Sequence, residues 1–298
     1  MRSPLKTVLS VTAAAGLVAL AGCSSGPAET LDNGDQQNLS IAVFNGWPEG
    51  EAVSYLWASI LEDKGYTVEL EPADLSAGFV GLAGGDYDVN LDIWLPVTHA
   101  DQLEEYGDDI EDLGAWYTGA TNNIAVNADA PIDSLDELAA NADYFNNTIV
   151  GIEPGAGLTT QTENNVIPGY GLETLSFEPT STAAMLTELK AATDAGEGIA
   201  VTLAHPHWAY NAFPIKDLAD PKGALGVGEG IHSFSRSGFA EDFPVVAGWL
   251  GDFTMESEAM ESLQEVLFSS DADSSEHAEI VDAWIAENQD WVDGLTAG

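Results

Sequence analysis

Short apolar runs alternate with amphipathic stretches along most of the chain. The apolar run over residues 39–44 predicts a strand, and the apolar stripe over residues 51–64 predicts a helix that ends before Gly65. The same patterns predict strands over residues 67–70, 89–94, 149–152, 175–177 and 199–203, and helices over residues 76–83, 158–167, 183–195, 258–268 and 276–288. Alternating strands and helices predict an α/β fold with mainly parallel sheets flanked by helices.

The alternation is interrupted twice, near residues 118–127 and again near residues 228–234. These interruptions predict that the chain leaves one lobe, builds a second lobe and then returns. We therefore expect lobe A to comprise residues 39–122 and 231–298, and lobe B to comprise residues 123–230.

The first residues have the pattern of a secretory signal. Two basic residues precede the apolar run over residues 8–20, which is too short to span a membrane as a mature helix. The run ends in Leu-Ala-Gly-Cys23, which resembles a bacterial lipobox, where the cysteine becomes the lipidated first residue. The sequence thus predicts a lipoprotein signal peptide over residues 1–22, a lipid anchor on Cys23, and a flexible tether over residues 23–38 rich in Gly, Ser, Asp and Gln.

The formal net charge of −43 excludes some partners. A surface this acidic repels nucleic acid and anionic lipid. It is typical of proteins that work in high salt, where screening removes most of the self-repulsion. Cys23 is the only cysteine, so the chain has no disulfide framework.

Aromatic and imidazole side chains follow two of the predicted strands. Trp94 ends one strand, Pro96 turns the chain, and His99 follows; Trp47 comes directly after another strand. Because ligand sites in parallel sheets lie at the carboxyl ends of the strands, we expect these residues to meet. Aromatic faces are good partners for a cation that cannot donate hydrogen bonds.

A glycine-rich turn offers a complementary anion site. The segment Pro154-Gly155-Ala156-Gly157 lets the backbone turn sharply before a helix, so that free N–H groups point outward. By itself such a turn is weak evidence, because glycines serve many tight turns. Together with the tryptophans, it predicts a pocket for a ligand that is cationic at one end and anionic at the other.

Several segments together resemble the glycine betaine binding proteins of ABC importers. They are Trp94-Leu-Pro-Val-Thr-His99, Gly151-Ile-Glu-Pro-Gly-Ala-Gly157, Pro206-His-Trp208, Asp220-Pro-Lys-Gly223 and Ile231-His-Ser-Phe-Ser-Arg-Ser-Gly-Phe239. The resemblance implies a two-lobe, type II periplasmic-binding-protein-like α/β fold that closes over a quaternary ammonium osmolyte. It also implies an extracytoplasmic, lipid-anchored and monomeric protein that delivers its ligand to ABC permease subunits, with no cofactor and no enzymatic activity.

The resemblance also assigns roles to individual residues. Trp47 and Trp94 match two walls of the family's aromatic cage around the trimethylammonium group. His99 and the backbone amides of Gly157 and Leu158 match the groups that bind the ligand carboxylate.

The sequence departs from the family pattern at the third cage wall. Family members commonly carry a tryptophan where this chain has Ala204. Either His205 or another aromatic side chain fills the gap, or the pocket is wider and accepts a bulkier ligand. Choline-selective relatives carry an acidic residue at the position of Glu49, which alternatively interacts only with the dipole of the following helix.

Rival functions have weaker support. His205 and His207 with nearby carboxylates suggest a metal-binding receptor, but metal sites need further ligands in defined positions. A secreted enzyme would need an activated nucleophile, and no Gly-x-Ser-x-Gly motif supplies one. Glycine betaine is the expected ligand, with choline or carnitine as the alternative.

Overall fold

The computed structural model describes residues 36–268 and 272–297. The predicted signal peptide, the lipidation site Cys23 and all but the last three residues of the predicted tether lie outside these ranges. Within the described ranges, no helix has the length and apolar character needed to cross a membrane.

Nine strands form in the described part of the chain. They are β1 (Asn38–Phe44), β2 (Thr67–Ala73), β3 (Val89–Leu95), β4 (Ile110–Asn127), β5 (Thr148–Gly151), β6 (Ser176–Pro179), β7 (Ala200–His205), β8 (Ile215–Asp217) and β9 (Glu229–Arg236). They are joined in the order β2-β1-β3-β9-β4-β7-β5-β6, and β8 pairs with β4.

The helices fill the connections between these strands. They are α1 (Pro48–Asp63), α2 (Leu75–Gly84), α3 (Ala100–Tyr106), α4 (Leu135–Leu138), α5 (Gly157–Gln161), α6 (Ile167–Tyr170), α7 (Thr182–Ala195), α8 (Ala209–Ala212), α9 (Phe239–Asp242), α10 (Pro244–Asp252), α11 (Ser257–Phe268), α12 (His277–Glu287) and α13 (Gln289–Leu295). Short 3₁₀ segments cover Ala139–Phe145 and Ser274–Glu276, and a π turn over Thr162–Val166 joins α5 to α6.

Parallel pairing is confined to two groups of strands. β1 pairs in parallel with β2 and β3, and β5 pairs in parallel with β6 and β7. The antiparallel strands β4 and β9 link the groups, since β4 pairs with β9 as far as Ala120 and with β7 from Thr121 onward. The predicted α/β fold is confirmed, but the interruption near residues 118–127 is a strand that changes partners. The lobe boundaries at residues 122 and 230 stay a prediction.

Helix α1 shows how local sequence determines an element next to the site. It begins at Pro48, three residues before the predicted start, because proline suits the first helical turn, where its missing N–H is not needed. Its apolar stripe, including Leu56 and Trp57, is buried against the sheet. The helix ends before Gly65, whose φ of +96° suits glycine.

Separate apolar clusters support the two groups of strands. Phe44, Phe79 and Ile93 belong to a cluster under β1 and β3. Around β5 and β7, one cluster includes Leu138 and Phe145, and another contains Met185, Leu189 and Val201. One core supports the carboxyl ends of β1 and β3, and another supports the start of α5.

Candidate functional site

A pocket lies where the carboxyl ends of β1 and β3 face the start of α5 and the end of β7. Its wall is formed by Gly46, Trp47, Pro48, Glu49, Trp94, Thr98, Asn122, Ile152, Ala156, Gly157, Leu158, Thr182, Met185, Leu203, Ala204 and His207. Of the six predicted ligand residues, the structure brings Trp47, Trp94, Gly157 and Leu158 together in this wall. It places His99 and His205 outside the wall.

Trp47 enters the pocket because a tight turn follows β1. Gly46 has a φ of +83°, and Trp47 then occupies the N-cap position of α1. The indole contacts Phe44 edge-on, with 5.1 Å between ring centroids, and stacks on the His99 ring at 5.5 Å with an interplanar angle of 10°. These two contacts hold the ring as a fixed wall.

Trp94 is positioned by polar contacts from its own strand and the following turn. Its indole Nε1 donates a hydrogen bond to Asp92 Oδ1 at 2.9 Å. Its backbone N–H donates to His99 Nδ1 at 3.0 Å. Only 3% of the residue is exposed, so both the ring and its backbone are held in a single orientation.

His99 lies behind the aromatic wall. It is fully buried, and burial lowers its pKa to about 3, so the ring is neutral at physiological pH. Because Nδ1 accepts the Trp94 N–H, the ring proton lies on Nε2. Nε2 has no hydrogen-bond partner among the described residues. Contact between His99 and a ligand carboxylate stays a prediction. In the structure, His99 stacks on the Trp47 ring and accepts the backbone N–H of Trp94, so it helps to position both tryptophans.

Gly157 brings the turn before α5 close to the other side of the pocket. A Cβ on this residue would lie 2.3 Å from the backbone oxygen of Thr98, so only glycine allows this approach. Gly157 and Leu158 begin a helical run that continues through the π turn to Tyr170, so the predicted helix over residues 158–167 is confirmed. The first amides of such a run have no acceptor within the helix.

Thr98 is the centre of a hydrogen-bond network beside the pocket. Its hydroxyl accepts from Asn122 Nδ2 at 2.7 Å and from Gln161 Nε2 at 3.2 Å, and donates to Glu229 Oε1 at 2.5 Å. The other Glu229 oxygen accepts the backbone N–H groups of Val97 and Thr98. The network therefore ties the turn after β3 to both linking strands and to α5.

The residues near the missing third wall differ from the expectation. Ala204 lines the pocket, but the neighbouring His205 pairs its Nε2 with Asp217 Oδ2 at 2.9 Å and stacks on Tyr210 at 3.8 Å. These contacts hold the His205 ring, and His205 does not line the pocket. His207, which the sequence analysis placed in a family segment and in the rival metal site, also lines the pocket.

Two buried carboxyl groups lie beneath the tryptophans. Glu49 is 5% exposed and lines the pocket, and Asp92 is 1% exposed. Burial is the main cause that raises the pKa of Asp92 to about 7, and burial followed by the charge of Asp92 raises the pKa of Glu49. Glu49 is thus part of the pocket wall as well as of the first turn of α1.

Other wall residues carried no local sequence signal. Asn122, Thr182 and Met185 are ordinary polar or apolar residues whose positions depend on the packing of β4 and α7. Among the described residues, no group of three or more His, Cys, Asp or Glu side chains is arranged to hold a metal ion.

Comparison with known proteins identifies the family. Residues 37–287 match the substrate-binding domain of ABC-type glycine betaine transport systems. The glycine betaine/carnitine transport binding protein GbuC of Listeria monocytogenes is 35% identical over 172 residues, which are 56% of this chain and 55% of GbuC. The match thus spans about half the length of that relative. An uncharacterized protein of Chromohalobacter salexigens is 32% identical over 115 residues, which are 37% of this chain and 74% of that protein.

Solved structures share the fold over most of the chain. Lactococcal OpuAC, closed on glycine betaine, has a TM-score of 0.81 and 28% identity, covering 88% of this chain and all of that one. The glycine betaine/L-proline-binding protein ProX of Borrelia burgdorferi has a TM-score of 0.80 and 27% identity, covering 87% of this chain and 96% of that one. The chain therefore belongs to the substrate-binding domains of ABC-type glycine betaine transport systems, which are solute-binding proteins and not enzymes.

Proposed function

We propose that this protein captures glycine betaine, or a closely related quaternary ammonium osmolyte, in the pocket between its two lobes. The observation that carries the proposal is the convergence of Trp47 and Trp94 with the start of α5 in one pocket. A permanent cation offers no hydrogen-bond donor, so desolvated aromatic faces are its best partners, each contributing about 0.5–2 kcal/mol. Glu49 in the same wall has its pKa raised by burial, and a bound ammonium group would stabilise its charged form.

The opposite end of the ligand would meet the amides of Gly157 and Leu158. The dipole of the helical run and its free N–H groups both favour a carboxylate there. The ligand would thus touch residues from both groups of strands. A ligand that contacts both lobes would bind the closed form more tightly than the open form, and this difference in affinity would stabilise the closed form. A permease can then sense the closed form.

The location of the protein and its partners form a further part of the proposal. A lipid anchor on Cys23 would hold the protein on the outer side of the cytoplasmic membrane, next to ABC permease subunits. The support is the lipobox-like end of the apolar run and the transport family to which residues 37–287 belong. Palmitate labelling of wild type and Cys23→Ala in the native host tests the anchor, and equal labelling of the two would contradict it.

A hydroxyl-bearing ligand is the second candidate. Glu49 lies in the pocket wall, and its carboxyl group would pair with a ligand hydroxyl. Choline and carnitine both carry such a hydroxyl group. The relative in Listeria monocytogenes is named for transport of both glycine betaine and carnitine.

Calorimetry with glycine betaine, proline betaine, carnitine and choline, at low and molar salt, tests the proposal. Glycine betaine is expected to bind most tightly, and its binding is expected to survive molar salt because buried contacts are poorly screened. Binding of choline but not of glycine betaine would favour the second candidate. No binding of any of the four would refute both.

Trp94→Ala tests the aromatic cage directly. The variant loses one wall and leaves Asp92 without its indole donor, so the affinity for glycine betaine should fall more than about tenfold. Trp291→Ala is the matched control, since Trp291 lies on α13 outside the pocket wall. Near-wild-type binding by a folded Trp94→Ala protein would contradict the cage.

A further inference from the structure

His207 carries a buried proton donor that no described group satisfies. Its Nδ1 accepts the backbone N–H of Ala209 at 3.0 Å, so Nδ1 holds no proton. Burial, together with the nearby His205, lowers the pKa of His207 to about 3, and the ring is therefore neutral with its proton on Nε2. Nε2 contacts neither solvent nor any acceptor among the described residues.

His207 belongs to the pocket wall. It is 9% exposed and lines the same cavity as Ala204, which stands where the family pattern has a tryptophan. A buried donor without an acceptor is costly, and native proteins rarely keep one without a reason. His99 has the same protonation pattern but does not line the pocket, whereas His207 does.

The chemistry of the donor determines which part of a ligand it can bind. A quaternary ammonium group is positive and has no lone pair, so it cannot accept from Nε2–H. An oxygen of a carboxylate or a hydroxyl group can, and a bond to a charged oxygen is roughly twice as strong as one between neutral groups.

We infer that His207 donates a hydrogen bond from Nε2 to an oxygen of the bound ligand and thereby determines specificity. With this contact, the pocket selects quaternary ammonium compounds that carry an acceptor oxygen over cations that carry none. The inference rests on the proposed function, because it assigns a residue within that same pocket. It shifts part of the recognition from cation–aromatic contact to hydrogen bonding.

The test compares glycine betaine with tetramethylammonium, which has the cationic group but no oxygen. In His207→Phe the affinity for glycine betaine should fall about tenfold or more, while the affinity for tetramethylammonium should stay the same or rise. His207→Gln keeps an N–H donor of similar reach, so it should retain much of the preference for glycine betaine. His205→Phe, next to the pocket but outside its wall, is the matched control and should leave the ratio of the two affinities unchanged.

An unchanged ratio in folded His207→Phe would overturn the inference. Failure of the proposed function looks different, because the wild-type protein would then bind neither compound. If His207→Phe does not fold, proton NMR of wild-type protein with ¹⁵N-labelled histidine decides instead. The Nε2–H signal of His207 should shift downfield with glycine betaine and not with tetramethylammonium, and no shift with either would overturn the inference.

Discussion

Replacing Gly157 with alanine should impair ligand capture without unfolding the protein. A Cβ at this position would lie 2.3 Å from the Thr98 backbone oxygen and 2.5 Å from Thr98 Cγ2. Real Cβ contacts essentially never fall below 3.0 Å, so the turn after β3 and the start of α5 must separate by at least 0.7 Å. The nearest atom is backbone, which cannot rotate away as a flexible side chain would.

The magnitude follows from the cost of overpacking. Inserting a methyl group into a closely packed contact costs about 1–3 kcal/mol. Thr98 belongs to the turn that carries the aromatic side of the pocket, and Gly157 begins the opposite side, so the clash arises only when the two sides approach. The cost therefore falls on the closed form, and the affinity for glycine betaine should drop roughly 5- to 150-fold.

Calorimetry measures this loss, and thermal unfolding without ligand checks the fold. Without ligand, the thermal midpoint of unfolding should change little. The loss of unfolding free energy should be much smaller than the loss of binding free energy, because an open form avoids the clash. Gly248→Ala is the control, since this helical glycine is exposed and its added Cβ would meet nothing within 4 Å. Binding by Gly157→Ala within about twofold of wild type would refute the reasoning, since a twofold change is only about 0.4 kcal/mol.

Three further perturbations test the surroundings of the pocket. Burial raises the pKa of Asp92 from 3.8 to about 7, so between these values the folded state keeps a proton that the unfolded state releases. Asp92 therefore stabilises the folded protein least above pH 7. The unfolding free energy of Asp92→Asn minus that of wild type should grow between pH 4 and 7, by at most about 4 kcal/mol. A pH-independent difference in chemical denaturation would contradict this. Thr98→Val removes the hydroxyl that contacts Asn122, Gln161 and Glu229, and should lower the unfolding free energy by about 1–3 kcal/mol, whereas Thr98→Ser should stay near wild type. Ala204→Trp should weaken glycine betaine binding because His207 already borders that space, and tighter binding in calorimetry would show that the gap is open.

Local patterns were sufficient for most elements but not for the two strands, β4 and β9, that link the two groups. Apolar periodicity and proline or glycine boundaries depend on neighbours in the chain, so α1 and α11 were predicted within a few residues of their observed limits. Strand β4 was read as an interruption, because its burial depends on two different partners, β9 and β7. Such pairing is a property of distant segments and has no local signal.

The sequence by itself determined the α/β class, the family and four residues of the pocket wall. It could do so because ligand sites lie at the carboxyl ends of parallel strands, and the turns there are marked by proline and glycine. Only the tertiary structure decided which histidine faces the cavity. The antiparallel register sets Ala204 against Asn122, and both line the pocket, whereas His205 pairs with Asp217 on β8 and His207 lines the pocket. Burial likewise gave Glu49 and Asp92 their raised pKa values, and desolvation of this kind arises from residues far apart in the chain that exclude water together.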